Sequence, residues 1–233
     1  MNISMDFLLN QLEGFFLIFV RMTGLFVIAP IFGRRNMPTY FKVGFSFLLA
    51  LLLASSNGVP ATDESIYAYT LSLIKEFFVG IIIGYVAYLI FTGVYIAGQI
   101  IDMQIGFGMI NVIDPLNSTS VPVTSNLYNI ICMLIFLMVD GHHLLITALY
   151  ESYKVIPAGG MVISDDLLKD IIRLMGSVFL IALKICAPVV ASILISDVAL
   201  GVIMKSVPHF NIFVVGLPLK LLLGMVIMWA TIP

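Results

Sequence analysis

Residues 77–101 read FFVGIIIGYVAYLIFTGVYIAGQII and contain no charged side chain over twenty-five positions. About 20 consecutive apolar residues in a helix cross the hydrocarbon core of a bilayer. Strands of a soluble sheet rarely run this long, and no alternation of polar and apolar residues is present. The stretch therefore predicts a helix that crosses or lies within a membrane.

The composition of the whole chain agrees with this prediction. Of its 233 residues, 61% are hydrophobic and 10% are charged, and the mean hydropathy is +1.13. Soluble domains carry about 25% charged residues, which they need to cover a surface in water. The net charge is −2, and no basic patch of the kind that neutralises phosphates is present. These values predict an integral membrane protein and exclude a nucleic-acid-binding protein.

Five further apolar segments resemble the first one. They lie at residues 7–32, 43–56, 127–150, 171–200 and 212–232. We therefore predict an all-α membrane protein of about six helices, forming a single integral-membrane domain over residues 1–233. Several segments are short or contain Gly, Pro or a charge, and irregular backbone at membrane depth survives only when protein or water surrounds it. A subunit packed inside a larger assembly fits this pattern, as do simple kinks in an ordinary helix bundle.

Charged residues between the segments predict a partial topology. Arg34, Arg35 and Lys42 cluster after the first segment, which places that loop in the cytoplasm and the amino terminus outside. The acidic loop at residues 57–65 agrees with an outside position. Alternation then assigns residues 102–124 to the inside, although they contain no Lys or Arg. A loop without such charges need not face the cytoplasm and could fold back into protein.

This central loop, residues 98–124, reads GQIIDMQIGFGMINVIDPLNSTSVPVT. Gly106 and Gly108 bracket Phe107, and Met103 and Met109 flank them. Glycine permits tight backbone, and methionine is an adaptable filler. The composition suits a deformable constriction, while a plain turn between two helices is the alternative.

Ionisable side chains within the apolar segments each suggest a function, because they are costly in a membrane. They are Arg21, Lys75, Glu76, Lys184 and Asp197. Both signs are present, so we predict structural ion pairs, for which Glu76 with Lys184 and Arg21 with Asp197 are two possibilities. A proton or ion relay is the alternative.

Two other groups of polar residues lie near the ends of the apolar segments. Asp140, His142 and His143, followed by Glu151, have side chains that bind metals or transfer protons. Their spacing lacks the i, i+4 histidine pair of a helical zinc site, so we predict a helix end here, with no metal, no cofactor and no enzyme activity. Ser164, followed by two acids, predicts the start of the next long helix.

The carboxyl-terminal segment contains several residues that disturb helices. Pro208 is expected to end the preceding helix, and Asn211 is a suitable cap for the next one. Gly216 and Pro218 are then expected to interrupt that helix within two turns.

Three motifs in the same order resemble the FliR family of type III secretion export-gate subunits. RMTGLFVIAPIFGRRNMPTYFKVGFSFLLAL (21–51) resembles its first hairpin, GQIIDMQIGFGMINVIDP (98–115) its central loop, and PHFNIFVVGLPLK (208–220) its carboxyl-terminal signature. The residues that carry the first and last matches are Ala29, Pro30, Pro38, Lys42, Pro208, Asn211, Phe213, Gly216 and Pro218. The chain departs from the family at its end, where members commonly continue with further apolar residues beyond the place of Pro233.

The resemblance implies a function as well as a fold. It implies tilted helical hairpins in a multi-subunit flagellar export gate of the bacterial inner membrane, with FliP, FliQ and FlhB as partners and unfolded flagellar proteins in transit. It also implies that the central loop plugs the closed pore, through Met103, Gln104, Gly106, Phe107, Gly108, Met109, Asp114 and Pro115. No nucleotide site is implied or present. A small secondary transporter or channel and a virulence secretion subunit are the alternatives.

Overall fold

The computed structural model describes residues 5–33, 37–57, 65–107, 122–162, 164–206 and 212–231. Within these ranges the chain forms seven α-helices and no strand, which confirms the all-α prediction. They are α1 (Met5–Ile28), α2 (Thr39–Asn57), α3 (Ile66–Ile105), α4 (Val123–Met138), α5 (Gly141–Val155), α6 (Asp165–Ser206) and α7 (Ile212–Thr231).

Four of these helices, α1, α3, α6 and α7, are long and apolar enough to cross a membrane. The broken pair α4 and α5 would make a fifth span if counted as one, and α2 is a shorter apolar helix. The helices α3 and α6, with 40 and 42 residues, are each about 60 Å long at 1.5 Å per residue. That length is about twice the thickness of the hydrocarbon core.

Several predicted boundaries were wrong. The segment predicted at 127–150 is two helices, because the chain breaks at Val139–Asp140, where Asp140 has a left-handed φ of 55°. The predicted central loop at 98–124 is too long at both ends, since α3 continues to Ile105 and α4 begins at Val123. Gly216 and Pro218 do not interrupt α7, which runs on to Thr231 with Pro218 in its first two turns. The proline at the seventh position of the helix removes one backbone hydrogen bond, the one to the carbonyl of residue 214, and the helix continues beyond it.

The predicted start of α6 was correct. The helix begins at Asp165, and the Ser164 hydroxyl oxygen accepts a hydrogen bond from the Leu167 amide at 3.3 Å. Asp165 and Asp166 in the first turn interact favourably with the positive end of the helix dipole.

The chain divides into two compact units. The first comprises residues 1–90 and 135–174, and the second comprises residues 91–134 and 175–233. The core of the first unit is built from α1, α2, α3 and α5 around Met22, Leu25 and Phe26. The core of the second unit surrounds Ile101, Val189 and Ile193, which come from α3 and α6. The single-domain prediction stays a prediction.

Candidate functional site

In the first unit, glycines allow α1 and α3 to approach each other at backbone distance. A Cβ atom on Gly24 would lie 2.5 Å from the Phe77 carbonyl oxygen, and one on Gly84 would lie 2.9 Å from the Leu25 carbonyl oxygen. A Cβ atom on Gly80 would overlap the Arg21 carbonyl oxygen. Gly80 and Gly84 form a GxxxG motif, which is typical of close helix pairs in membranes. The contact brings α1 side chains directly against α3.

At this contact Arg21 of α1 and Glu76 of α3 form an ion pair that is fully buried, with 0% of either side chain exposed. Arg21 Nε donates to Glu76 Oε2 at 2.5 Å, and Arg21 Nη2 donates to Oε1 at 2.9 Å. This two-pronged geometry is the strongest arrangement of an arginine with a carboxylate. Arg21 therefore pairs with Glu76, where the sequence had suggested Asp197 as one possible partner.

The same pair holds the end of α5 and the turn that follows it. Arg21 Nη1 donates to the Ser152 hydroxyl at 3.0 Å, and Nη2 also donates to the Ile156 carbonyl at 3.1 Å. The Gly159 amide donates to Glu76 Oε1 at 2.8 Å. The Arg21 guanidinium carbon lies 3.8 Å from the centre of the Tyr153 ring, a cation–π contact. The two charges thus fasten residues 152–159 to the α1–α3 pair.

In the second unit, Asp102 of α3 caps the amino terminus of α4. Its Oδ1 accepts a hydrogen bond from the Thr124 amide at 3.0 Å, and its Oδ2 accepts one from the Ser125 amide at 3.3 Å. The first amides of a helix have no partner within the helix, and a carboxylate is the most effective group to satisfy them. Gly98 makes room for this contact, because a Cβ atom there would overlap Ser125 Cα. The end of α3 and the start of α4 are therefore held together.

Four of the eight predicted plug residues are among the residues that the structure describes. Met103 and Gln104 are in the last turn of α3, and the Met103 side chain is 68% exposed. Gly106 ends the helix with a φ of 100°, a conformation that glycine adopts without strain. Phe107 packs against the core of the second unit. Gly108, Met109, Asp114 and Pro115 lie outside the described residues, so their role stays a prediction.

The other charges predicted within the membrane have different surroundings. Asp197 Oδ1 lies 2.5 Å from Lys220 Nζ, an ion pair between α6 and α7. Lys75 is half-buried, and Lys184 is exposed.

Asp140, His142 and His143 come together at the break between α4 and α5. Their potential ligand atoms lie within 4.8 Å of one another, and Asp140 Oδ1 is 3.3 Å from His143 Nδ1. The side chains of Asp140 and His143 are 73% and 70% exposed. The positive end of α5 disfavours a cation at this position. The absence of a metal here stays a prediction.

The residues that carry the family resemblance have mainly structural roles. Ala29 and Pro30 are buried at the end of α1, and the Pro38 carbonyl accepts hydrogen bonds from the Phe41 and Lys42 amides in the first turn of α2. Gly216 is buried and Pro218 exposed in α7, where Phe213 also lies. Pro208 and Asn211 lie outside the described residues.

Sequence reasoning missed three features of the site. The GxxxG spacing of Gly80 and Gly84 was a readable signal for the α1–α3 contact. Asp102 and Lys220 gave no local signal, because their partners lie 22 and 23 residues away.

Comparison with known proteins gives a consistent result. The profile of the family described as "Bacterial export proteins, family 1" matches residues 12–233. Flagellar biosynthetic protein FliR of Bacillus subtilis is 36% identical over 96% of this chain and 88% of its own length. The proteins of the same name in Escherichia coli and Aquifex aeolicus are 29% and 26% identical, over 97% and 99% of this chain and 86% and 88% of their own lengths. The match over nearly the whole chain shows that this protein belongs to bacterial export protein family 1, the family of FliR.

Proposed function

We propose that this chain is a core subunit of the bacterial flagellar type III protein-export gate, and that it forms part of the pore through which unfolded flagellar proteins cross the inner membrane. Its partners are then copies of FliP and FliQ, together with FlhB, at the base of the flagellum. The relatives named above are flagellar proteins, which favours this system over a virulence secretion system. A multi-pass position in the inner membrane agrees with the apolar helices.

The helix lengths support a place inside an assembly. Helices of about 60 Å are too long for a hydrocarbon core of about 30 Å, even with a large tilt. Apolar side chains are nevertheless exposed near both ends of α6, at Leu168 and Met204. Lipid tails cannot cover both ends of such a helix at once, so other protein must cover part of it.

The observation that carries the proposal is the pair of hydrogen bonds from the Thr124 and Ser125 amides to Asp102, which we call the Asp102 clamp. A segment whose two ends are fastened at one point can project as a closed loop while its anchor stays fixed. The clamp involves two hydrogen bonds to a charged group, each stronger than a neutral one. Residues 106–121 connect the two helices that the clamp joins. They contain Gly, Met and Phe residues, which suit an apolar seal that changes shape when a substrate chain passes.

In the proposed mechanism, apolar side chains of this segment exclude water and ions from the closed pore. Met103, Phe107 and Met109 are the candidates for the seal. Gly106 and Gly108 allow the backbone to rearrange when a substrate chain arrives. Energy for transport comes from other subunits and the proton gradient, because the chain has no phosphate-binding glycine loop.

Assembly is the direct test of the proposed function. The tagged chain is expressed alone and together with FliP- and FliQ-type subunits, and each preparation is examined by size-exclusion chromatography. We expect a single sharp species only with the partner subunits, because exposed apolar faces associate without order when uncovered. A chain that is monodisperse alone, ignores the partners and transports a small solute in vesicles would instead be a secondary transporter.

A further inference from the structure

Lys184 lies in the middle of an otherwise uncharged part of α6. Between Arg173 and Asp197 the chain has 23 residues, of which Lys184 is the eleventh and the only charged one. These residues form about 34 Å of helix, close to the thickness of the hydrocarbon core. The Lys184 Cα atom therefore lies about 15 Å or more along the helix from either end of this stretch. A lysine can extend its side chain to the membrane surface from a helix end, but not from this depth.

The surroundings of Lys184 on this chain are apolar. The side chain is exposed, and its neighbours Leu180 and Leu183 are 60% and 56% exposed. Among the residues that the structure describes, no carboxylate lies within ion-pair distance of Lys184. An ammonium group that faces lipid tails without a partner is strongly unfavourable.

Three carboxylates on the apolar helices already have partners. Glu76 is bound by Arg21, Asp102 caps α4, and Asp197 is paired with Lys220. The described part of the chain therefore leaves Lys184 without a counter-charge of its own. The face around it is also shaped for a close neighbour, since Gly176 has no heavy atom near it and Ala187 and Ala191 are exposed. Small side chains allow a second helix to approach closely in a membrane.

We propose that this face of α6 binds an apolar helix of another export-gate subunit, and that a carboxylate on that helix pairs with Lys184. The proposal rests on the proposed function, because it requires the gate assembly. A charge at this depth needs a counter-charge that lipid tails do not supply, and the acid must belong to a polypeptide that is itself within the membrane.

Cross-linking in the assembled gate tests the proposal. Dicyclohexylcarbodiimide enters membranes and activates carboxyl groups there. The Lys184 amine then displaces the activating group and forms an amide, while the carbodiimide takes up the elements of water and leaves as a urea. Trypsin no longer cleaves after Lys184, so the product is a branched peptide that contains residues 174–205. We expect its other arm to be an Asp- or Glu-containing peptide of a partner subunit.

Three variants provide the controls. Lys184→Arg keeps the charge but cannot form the amide, so the gate should assemble normally and the branched peptide should disappear. Lys184→Met leaves the partner's carboxylate unpaired, and we expect at least about a tenfold loss of assembled gate. Lys169→Met removes an exposed lysine from the same helix, where it pairs only with Asp166, and should leave assembly unchanged.

Several outcomes would overturn the proposal. The first is an amide from Lys184 to an acid of this same chain, of a second copy of it or of phosphatidylserine. The second is complete tryptic cleavage after Lys184 in the treated gate. The third is normal assembly of the gate with Lys184→Met. If the wild-type chain fails to bind the partner subunits at all, the proposed function fails as well. If the subunits bind wild type and Lys184→Met equally, only the assignment of Lys184 fails.

Discussion

Replacing Arg21 with methionine should strongly destabilise the first unit. The change removes both hydrogen bonds to Glu76 and leaves that buried carboxylate with only the Gly159 amide. It also removes the donors to Ser152 and Ile156 and the stacking on Tyr153. Breaking a buried ion pair by removing one partner costs about 3–5 kcal/mol. In a chain of this size that corresponds to a fall of roughly 6–20 °C in the thermal midpoint.

The assay is the fraction of the gate complex that stays monodisperse on size-exclusion chromatography after heating. Arg173→Met is the matched control, because Arg173 is exposed and its ion pair is with Asp170, one turn earlier in the same helix. It should shift the midpoint little. The double variant Arg21→Met/Glu76→Leu should recover much of the loss, since no unpaired charge remains buried. Equal midpoints for Arg21→Met and Arg173→Met, or a double variant less stable than Arg21→Met, would refute this reasoning.

Two further predictions concern the close contacts. Gly80→Ala should lower the same thermal midpoint, because its methyl group would overlap the α1 backbone and overpacking typically costs about 1–3 kcal/mol. Gly44→Ala is the control and should not lower the midpoint, because a Cβ atom at Gly44 would have no heavy atom within 4 Å. Equal losses in the two variants would contradict the α1–α3 packing. Asp102→Ala should speed hydrogen exchange at Thr124 and Ser125 about tenfold, since two buried amides lose their acceptor. Asp166→Ala, which removes an exposed acid of α6, is the control, and unchanged exchange in Asp102→Ala would count against the clamp.

Helical class and membrane character could be read from the sequence because they depend on local hydrophobicity. The start of α6 was also local, since Ser164 and the two acids after it are a sufficient signal. The segment 127–150 was predicted as one helix, although a helix end was predicted at Asp140 and an Asp-Gly pair is a common turn signal. A long apolar run on both sides concealed the break.

The partners of the buried charges could not be predicted. Arg21 and Glu76 are 55 residues apart, and their meeting depends on how closely α1 and α3 approach. The distance between α1 and α3 is set by Gly24 and Gly80, because a side chain at either position would collide with the backbone of the other helix. The extent of the central loop was overestimated for a similar reason. Gly98 and Asp102 were included in the predicted loop, yet they lie within α3, where Gly98 makes room for α4 and Asp102 caps it.

We have proposed that residues 106–121, held at Asp102, seal the pore of an export gate. Deleting residues 106–113 from the chain in cells that express the gate subunits tests it, with membrane potential as the readout. Deletion of residues 58–64, between α2 and α3, is the control. We expect depolarisation only in the first variant, because ions and protons then cross an unsealed pore. An assembled gate that lacks residues 106–113 and still holds the full membrane potential would contradict it.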